Sequence, residues 1–422
     1  MRRGDTRRGT GFRPGGFKIA QRSEQPRATD IPTTSQPNVK DGSSVRILGR
    51  ASETEAEVKP GTIITSSHVK KTEERPPSTS GPQTSLSASI RFLEDNMHLN
   101  DALQELLSDS NTSYHVIGAI GPQGAGKSTF LSMLSGNDPM DLYRQYVFRP
   151  CSREAVESCR YQTLKIYIYI NKTRTILLDC QGMSSASILD DLIRANRRQQ
   201  IGSFKADEQF DTECLRLLLF MFEICHTLVL NVDWFIDMSV IRELMSAQLI
   251  SSALTRNDRK VNLVVVHQRA KSMDFHPVTV KRRAQCLKGM FEHSKFNICG
   301  GLSMGGIGFK KYGNIEPDVN YILLSEIKPR IRGETVPQNI GQELQPMEYI
   351  EYGTVMNVLR TQILRLPKPL FASSNSLLTE REWFQMASLF WAKLENDAMI
   401  RSSKKLWNVY SDKDEIRVAK RT

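Results

Sequence analysis

The stretch that decides the fold is Gly121-Pro122-Gln123-Gly124-Ala125-Gly126-Lys127-Ser128, which fits the pattern G-x-x-x-x-G-K-[ST] at every fixed position. An apolar, β-rich run, Ser113–Ile120, precedes it. A segment of helical character, Lys127–Leu134, follows and closes at Gly136. Glycines at these places let the backbone turn so that successive N–H groups point inward at phosphate oxygens. The sequence therefore predicts a strand–loop–helix unit that binds nucleotide phosphates.

The side chains of this loop predict the contacts. We expect Lys127 to reach the β- and γ-phosphates as a point charge, and Ser128 to offer its hydroxyl to Mg²⁺, which favours oxygen ligands. Thr129 is placed to donate to the α-phosphate. The predicted nucleotide-binding residues of this loop are Gly121, Pro122, Gln123, Gly124, Ala125, Gly126, Lys127, Ser128 and Thr129.

A second element supports the first. The apolar run from Ile176 ends in Asp179, and Gly182 follows three residues later. In P-loop NTPases an acidic residue at the carboxyl end of a strand holds the Mg²⁺ shell. The spacing Asp-x-x-Gly is also typical of a switch segment, in which the glycine amide lies near the terminal phosphate. We therefore predict Ser128 and Asp179 as metal ligands and Gly182 as a nucleotide contact.

The rest of the chain alternates strands and helices. A predicted hairpin joins Leu164–Ile170 to Thr175–Asp179 through Asn171–Arg174, and it adds one antiparallel edge strand. Earlier, Ile90, Leu93 and Met97 fall at helical spacing, as do the leucines at 99, 103, 106 and 107. Later predicted elements are, in chain order, helix Thr212–Ile224, strand Thr227–Val232, helix Met238–Ala253, strand Val261–His267, helix Val278–Ser294 and strand Tyr321–Ile327. This pattern predicts an α/β fold of the P-loop NTPase class, with a Ras-like G-domain mixed sheet flanked by helices.

Composition divides the chain into three parts. Residues 1–89 hold 15 Lys and Arg against 9 Asp and Glu and only two aromatic residues, so they predict a disordered basic arm. Residues 90–345 form the predicted G-like nucleotide-binding domain, with a mobile polar loop near 328–345. Residues 346–422 are predicted to form C-terminal helices, with Met347–Leu366 and Leu377–Tyr410 as the two segments.

The second C-terminal helix carries one broad apolar face. Its stripe includes Phe384, Ala387, Trp391 and Leu394 at alternating steps of three and four. Two interpretations stay open at this point. The face packs on the G-like domain itself, or it binds a partner, because aromatic residues are enriched at the cores of interfaces.

Two departures from the G-domain pattern bear on activity. Met183 follows the Asp-x-x-Gly segment where many G domains carry a water-positioning glutamine, so fast hydrolysis by that route is not expected. After the strand residues Val261–Val266 the chain reads His267-Gln268-Arg269-Ala270, which lacks the carboxylate of the usual guanine-reading motif. Base identity is therefore open. His267 and Arg269 are candidates to stack on a base, although a plain loop role is the alternative.

Three further features of the sequence give weaker indications of function. Gly300–Gly308 is glycine-rich and predicts a flexible loop, with closure over the base side as one option for it. Thr163 is a candidate ligand of Mg²⁺ or of the γ-phosphate, with an ordinary strand-edge threonine as the alternative. His115, in the first strand, is expected to be a core histidine. No histidine spacing suggests a metal site.

Composition also excludes several classes. The chain has 57 Lys and Arg against 46 Asp and Glu, a net charge of +11, and 39% apolar residues. No stretch approaches the roughly 20 uncharged apolar residues of a membrane span. No apolar run follows the basic N-terminus, so we expect no signal peptide. Seven cysteines without a C-x-x-C pair indicate reduced thiols. We expect a cytoplasmic protein without membrane contact.

Together these motifs resemble the family of the ninth SMG factor of nonsense-mediated mRNA decay. The resemblance covers roughly residues 110 to 420 and rests on the phosphate loop, Asp179-Cys180-Gln181-Gly182-Met183, the missing guanine motif, and the helical tail with Trp383 and Trp391. It implies a G-fold subunit that pairs with a second G-like SMG subunit. It further implies docking on a large phosphatidylinositol-3-kinase-like SMG kinase, whose activity the pair restrains. The nucleotide-binding residues that it implies are Gly121, Gly124, Gly126, Lys127, Ser128, Thr129 and Asp179.

The expected function is that of a regulatory subunit that binds a purine nucleotide, GTP/GDP or ATP/ADP, together with Mg²⁺. Hydrolysis is expected to be slow or absent. Two alternatives stay open. One is an active GTPase switch. The other is an RNA-binding protein that acts through the basic arm, whose Arg-Gly pairs are typical of segments that contact RNA.

Overall fold

The computed structural model describes the part of the chain that carries the predicted G-like domain and most of the two C-terminal helices. The predicted arm up to residue 84, the polar loop 328–345 and the tail beyond residue 400 lie outside the described residues. The described ranges are 85–141, 143–198, 203–255, 258–309, 312, 319–327, 352–371, 376–397 and 400.

One eight-stranded mixed sheet forms the centre, with helices around it. The strands are β1 (Ile90–Leu93), β2 (His115–Ile120), β3 (Ile166–Ile170), β4 (Thr175–Cys180), β5 (Thr227–Val232), β6 (Val261–His267), β7 (Phe296–Asn297) and β8 (Tyr321–Leu323). The helices are α1 (Lys127–Ser135), α2 (Arg153–Glu157), α3 (Ala186–Arg198), α4 (Ser203–Ile224), α5 (Met238–Thr255), α6 (Pro277–Phe291), α7 (Tyr352–Leu364) and α8 (Glu380–Asn396). Two short 3₁₀ turns are Asp101–Leu106 and Tyr143–Gln145.

The strand order is β1-β3-β4-β2-β5-β6-β7, and β8 also pairs with β6. Strands β4, β2, β5 and β6 run parallel, whereas β3 runs antiparallel to β4. Every residue of β2, β4, β5 and β6 is buried. Continuous burial is typical of parallel strands that are covered on both faces, and it explains why these strands read as unbroken apolar runs. The predicted mixed sheet with flanking helices is confirmed.

The edge of the sheet differs from the prediction. Residues 90–93, expected to be helical, form β1 and pair antiparallel with β3, so that β1 and not the hairpin strand lies at the edge. The register shifts between Arg91 and Leu93, and both Phe92 and Leu93 are buried. A bulge of this kind turns neighbouring side chains inward and imitates helical spacing in the sequence. Ordered pairing begins still earlier, because the Leu86 N–H donates to the Ile170 carbonyl at 3.2 Å.

Helices α3 and α4 also differ from the prediction. Helix α3 has no counterpart among the predicted elements, and α4 begins nine residues earlier than the predicted helix Thr212–Ile224. The first half of α4 is too polar to reveal itself by apolar spacing. It is held by a small separate cluster in which Ile188 of α3 meets Phe210 and Cys214 of α4. Helix–helix packing, rather than local propensity, sets these bounds.

The far edge of the sheet is divided. Strand β7 pairs with the start of β6, and β8 pairs with its end, so two short parallel strands lie in tandem beside one long strand. The glycine-rich segment Gly300–Gly308 lies in the connection between them. Closure over the base side, one option for this segment, is not observed. Instead, Gln362 of α7 donates to the Gly306 carbonyl at 2.6 Å, and a Cβ on Gly301 would meet Leu366 at 2.2 Å.

The apolar face of α8 packs on the sheet layer. Trp383 is fully buried and stacks on Phe92, with ring centroids 5.8 Å apart, and its Nε1 donates to the Ile224 carbonyl at 2.9 Å. Trp391 meets Phe220 edge-on at 5.1 Å. The face therefore contacts β1 and α4 of the same chain. No helix in the described part of the chain is both long and apolar enough to span a bilayer.

The first residue of α8 is tied to the sheet by charge. Glu380 is fully buried and accepts hydrogen bonds from Arg174 in the β3–β4 turn, including one from Nε at 2.7 Å. It also accepts from Asn111 Nδ2 at 2.6 Å and from the Ser108 N–H at 2.9 Å. A buried carboxylate needs this degree of pairing, since desolvating a lone charge is expensive.

Candidate nucleotide-binding site

The loop Gly121–Ser128 joins β2 to α1 in the conformation that its glycines require. Gly121, Gly124 and Gly126 have φ of 135°, 80° and 85°. At Gly121 the requirement is also steric, because a Cβ would lie 2.1 Å from the Asn231 carbonyl oxygen. The N-terminus of α1 therefore opens onto a tight turn of backbone, as an anion-binding loop demands.

Lys127 lies inside this loop. Its side chain is buried, and Nζ donates to the carbonyl oxygens of Gly121 at 3.1 Å and Pro122 at 2.9 Å. Burial lowers the pKa of the Lys127 ammonium, and the nearby Asp179 carboxylate opposes that shift. The ammonium is thus held next to the loop amides and is poorly solvated. Such a cation gains most when an anion enters beside it.

Three oxygen-bearing side chains meet beneath the loop. Ser128 donates to Asp179 Oδ2 at 2.7 Å, and Thr163 donates to the same oxygen at 3.1 Å. The two hydroxyl oxygens are 3.3 Å apart. Asp179 is buried, which raises its pKa, while Lys127 and the two hydroxyls act in the opposite direction. The structure thus brings Thr163 together with both predicted metal ligands, which favours a ligand role over that of a plain strand-edge threonine.

This cluster fits a hard divalent cation. All three groups offer oxygen, which Mg²⁺ prefers. The second carboxylate oxygen, Asp179 Oδ1, is buried and has no hydrogen-bond partner among the described residues. Orphaned buried oxygens are rare, and an ion is one explanation of such an atom. Within the described ranges, no three His, Cys, Asp or Glu side chains cluster as a transition-metal site would require.

The Asp-x-x-Gly segment packs directly on the phosphate loop. A Cβ on Gly182 would lie 2.8 Å from Gln123 Cα, so only glycine fits there. The next residue, Met183, is buried, and its N–H donates to the Gly121 carbonyl at 3.0 Å. Gln181 is buried too and accepts from the Lys165 N–H at 2.8 Å. Neither the thioether of Met183 nor the amide of Gln181 lines the cavity described next.

A cavity of about 570 Å³ opens beside the loop. We call residues 150–163 and the Asp-x-x-Gly segment 179–182 the two switch-like segments. The cavity is lined from the phosphate loop by Gln123, Gly124, Gly126, Lys127, Ser128 and Thr129, from the switch-like segments by Pro150, Cys151, Arg153, Val156, Tyr161, Gln162, Thr163 and Gly182, and from the far side by Gln268, Arg269, Ser325, Glu326 and Ile327. Three cationic side chains and one carboxylate are in this lining. The volume suits a nucleotide, and the charge suits a polyphosphate.

The two base-side candidates differ in position. Arg269 lines the cavity and donates to the Gly124 carbonyl at 2.9 Å and to Asp233 Oδ2 at 2.8 Å. His267 does not line it. Its ring is buried, which lowers its pKa, and Nδ1 lies 3.3 Å from the Tyr321 hydroxyl. The structure thus separates His267 from the phosphate loop, because it is the last residue of a buried strand.

Several lining residues were not predicted from the sequence, among them those between residues 150 and 162 and two that follow β8. Ser325 and Glu326 line the cavity just after β8, a strand of only three residues with no motif after it. The side chain of Gln123 was predicted only as part of the loop. In the structure its Nε2 donates to the Arg160 carbonyl at 3.2 Å and to Ser187 Oγ at 3.0 Å. These partners lie in segments far apart in the sequence, so no spacing pattern could reveal them.

Comparison with known proteins gives relatives of one kind. A scan of family models finds no match. The Caenorhabditis elegans nonsense-mediated mRNA decay factor SMG9 is 34% identical over 310 residues, which cover 72% of this chain and 74% of the relative. The Caenorhabditis briggsae factor of the same name is 40% identical over 320 residues, covering 74% of this chain and 77% of the relative. The Xenopus tropicalis factor is 29% identical over 350 residues, with 77% and 68% covered.

Among solved structures, a bacterial selenocysteine-specific elongation factor, EF-Sec, is similar over 50% of this chain and 25% of its own, with a TM-score of 0.24 and 11% identity. That similarity is too slight to support an argument. The two nematode relatives do show the family, because their sequence identity extends over about three quarters of both chains. The resemblance that the motifs indicated is confirmed, and the chain belongs to the SMG9 family of nonsense-mediated mRNA decay factors.

Proposed function

We propose that this protein is a nucleotide-binding regulatory subunit in nonsense-mediated mRNA decay. One observation carries the nucleotide part of the proposal. Ser128, Thr163 and Asp179 converge beneath a glycine-rich loop that also holds the buried ammonium of Lys127. Three separate parts of the chain supply these groups. A relic loop would have no reason to keep an uncompensated carboxylate oxygen in the same place.

Each group has a defined task in this proposal. The loop amides and Lys127 bind the phosphates, and Thr129 donates to the phosphate nearest the sugar. Ser128 and Thr163 would hold Mg²⁺ with Asp179 as the buried anion of the site. When bound, Mg²⁺ neutralises phosphate charge and orients the phosphate oxygens. The nucleotide is a purine nucleotide, and Arg269 is the one base-side candidate that reaches the cavity.

We further propose that the bound nucleotide acts mainly as a structural ligand. The positions that would orient an attacking water are Met183 and Gln181, and neither side chain lines the cavity. Occupancy with ligand at 100 times its Kd stabilises the folded state by about 2.7 kcal/mol. That stabilisation would order the two switch-like segments, which meet the phosphate loop at Gln123.

The partners in the proposal are a second G-like SMG subunit and a large phosphatidylinositol-3-kinase-like SMG kinase. A surface for the first contact lies next to the cavity. The loops that follow β5 and β6 expose Trp234 to 59% and Met273 to 82%. Asp233, beside Trp234, pairs with Arg269 of the cavity wall. Exposed aromatic and methionine side chains are typical of protein interfaces. The proposed partner surface would therefore lie next to the nucleotide-binding cavity.

The decisive experiment is to purify the full chain from cells, denature it and identify the small molecule released. We expect a purine nucleotide in the wild type, and little or none in Lys127→Ala and Ser128→Ala. Lys172→Ala, in the exposed β3–β4 turn, is the matched control and should retain nucleotide. Equal retention in the wild type, Lys127→Ala and Ser128→Ala would refute the phosphate-loop assignment.

Pairing is tested by co-purification of the second G-like subunit with Trp234→Asp and Met273→Asp. We expect both variants to lose the partner while retaining nucleotide. Leu389→Asp, at a side chain on α8 that is 75% exposed, is the control and should keep the partner. Loss of the partner with the control alone would move the contact surface to α8.

A further inference from the structure

Hydrogen bonds fix the backbone of Arg160, whereas its side chain is exposed and unpaired among the described residues. Its N–H donates to the Ala155 carbonyl at 2.7 Å. Its carbonyl accepts from Gln123 Nε2 at 3.2 Å and from Cys151 Sγ at 3.6 Å. The residue is exposed, and within the described ranges its guanidinium takes part in no ion pair or hydrogen bond. A guanidinium carried on a fixed backbone beside a phosphate loop is ready to receive an anion.

Arg160 lies beside the end of the site where the terminal phosphate is expected, although its side chain is not among those that line the cavity. Gln123, which holds its carbonyl, packs against Gly182, and that glycine ends the segment that begins with Asp179. Three residues after Arg160, Thr163 donates to Asp179 at the cation site. Arg160 is therefore bracketed between the phosphate loop and the cation site, on the side of the Asp-x-x-Gly segment.

The two arginines that do line the cavity are already engaged. Arg153 forms an ion pair with Glu157 at 2.8 Å on the same turn of α2. Arg269 bonds the phosphate-loop carbonyl of Gly124 as well as Asp233. Arg160 is thus the arginine next to the loop whose five N–H donors are uncommitted.

We propose that the Arg160 guanidinium binds the terminal phosphate of a nucleoside triphosphate and so makes the site prefer triphosphate over diphosphate. This inference rests on the proposed function. The planar guanidinium matches two phosphate oxygens at once, and such charge-assisted contacts are stronger than neutral ones. A diphosphate lacks the group that Arg160 contacts, so it gains nothing from this residue.

The test measures Kd for purine nucleoside diphosphates and for their non-hydrolysable β,γ-imido triphosphates, with Mg²⁺ present. We expect Arg160→Ala to weaken triphosphate binding by about tenfold and to leave diphosphate binding unchanged, because a hydrogen bond between charged groups is worth at least that factor. Arg160→Lys should keep part of the preference, since it retains the charge but loses the two-pronged geometry. Thermal unfolding of both variants checks that the fold is intact.

Two controls separate the outcomes. Arg194→Ala removes an exposed arginine of α3 that pairs with Asp190, and it should change neither Kd. Lys127→Ala should abolish binding of both nucleotides. If Arg160→Ala weakens both nucleotides equally, or neither, while Lys127→Ala abolishes binding, the Arg160 assignment is overturned and the proposed function stands. If the wild type binds neither nucleotide, both proposals are overturned.

Discussion

Thr163 donates its hydroxyl to Asp179 Oδ2 at 3.1 Å and so connects the segment after α2 to the end of β4. The contact leaves the second oxygen of Asp179 without a partner among the described residues. A threonine that served only to end a loop would not need to face a buried carboxylate. The pair is therefore the most informative contact in the site, because it joins a switch-like segment to the place where a cation belongs.

Replacement of Thr163 tests this pair. Thr163→Val keeps the shape of the side chain and removes the hydroxyl, so we expect Mg²⁺-dependent nucleotide affinity to fall about tenfold. Thr163→Ser keeps the hydroxyl and should remain within about threefold of the wild type. Kd measured with Mg²⁺ and again with excess chelator is the readout. With chelator the three proteins should converge, and a persistent gap would assign Thr163 a role unrelated to the cation.

Gly182→Ala tests the contact between the Asp-x-x-Gly segment and the phosphate loop. The new Cβ would lie 2.8 Å from Gln123 Cα, which forces the two backbones apart. We expect a loss of about 1–3 kcal/mol of unfolding free energy and weaker nucleotide binding. Urea denaturation and a binding titration measure the two effects.

The matched control is Gly289→Ala. Gly289 lies within α6, and a Cβ there meets nothing within 4 Å. We expect this variant to gain about 0.5–1 kcal/mol, because alanine has the higher helix propensity. Similar destabilisation in both variants would contradict the tight packing inferred at Gly182.

Glu380→Ala tests the charge that ties α8 to the sheet. The carboxylate is fully buried and is bonded by Arg174, so its removal leaves a half-buried guanidinium and the Asn111 and Ser108 donors without their acceptor. We expect a loss of about 3–5 kcal/mol of unfolding free energy. Asp190→Ala breaks an exposed ion pair of α3 and should cost only about 0.3–0.5 kcal/mol. Chemical denaturation measures the unfolding free energy of both variants. Near-equal losses of unfolding free energy would refute the anchoring role of Glu380.

Acid should weaken the fold through a buried histidine pair. Burial lowers the pKa of His115 to about 4 and that of His226 to about 2, and the cations Lys368 and Arg259 act in the same direction on His226. Nδ1 of His226 also accepts the Val116 N–H at 3.0 Å, which a protonated Nδ1 could not do. Because the unfolded chain binds these protons near pH 6.5, the stabilisation is full above pH 6.5. It declines below that by up to about 1.4 kcal/mol per pH unit and histidine.

The measurement is the free energy of unfolding at pH 7.5, 6.5 and 5.5. His226→Gln should show a shallower dependence on pH than the wild type, whatever its own stability. His293→Gln, at an exposed histidine after α6, should keep the wild-type slope. If His226→Gln keeps the pH dependence of the wild type, this histidine does not cause the loss of stability in acid.

The parts of the fold that the sequence predicts well are those encoded locally. Strands β5 and β6 match their predicted bounds because a fully buried parallel strand is an unbroken apolar run between polar turns. The phosphate loop can be recognised in the sequence because the backbone conformation of the loop requires glycine at positions 121, 124 and 126. In contrast, β1 depends on an edge offered by β3, far along the chain, and its bulge imitates a helix.

The same distinction applies to the site. Ser128 and Asp179 could be predicted because Ser128 follows a strand at a known offset and Asp179 lies near the carboxyl end of one. The Gln123 contacts with Arg160 and Ser187 depend on how two loops and the first turn of α3 pack together, and no offset encodes them. His267 is the opposite case. It lies at the offset expected of a base-side residue, but its side chain is buried beside Tyr321 and does not line the cavity. The nucleotide contacts themselves stay predictions until a ligand is identified.

The stacking of Phe92 on Trp383 has a consequence for biosynthesis. The two rings belong to β1 and α8, and Trp391 Nε1 of α8 likewise donates to the Met97 carbonyl at 2.5 Å. A ribosome delivers α8 long after β1 has emerged, so the aromatic surface of β1 stays uncovered in the meantime. A nascent chain stalled or terminated before Glu380 would keep that surface open to chaperones and proteases.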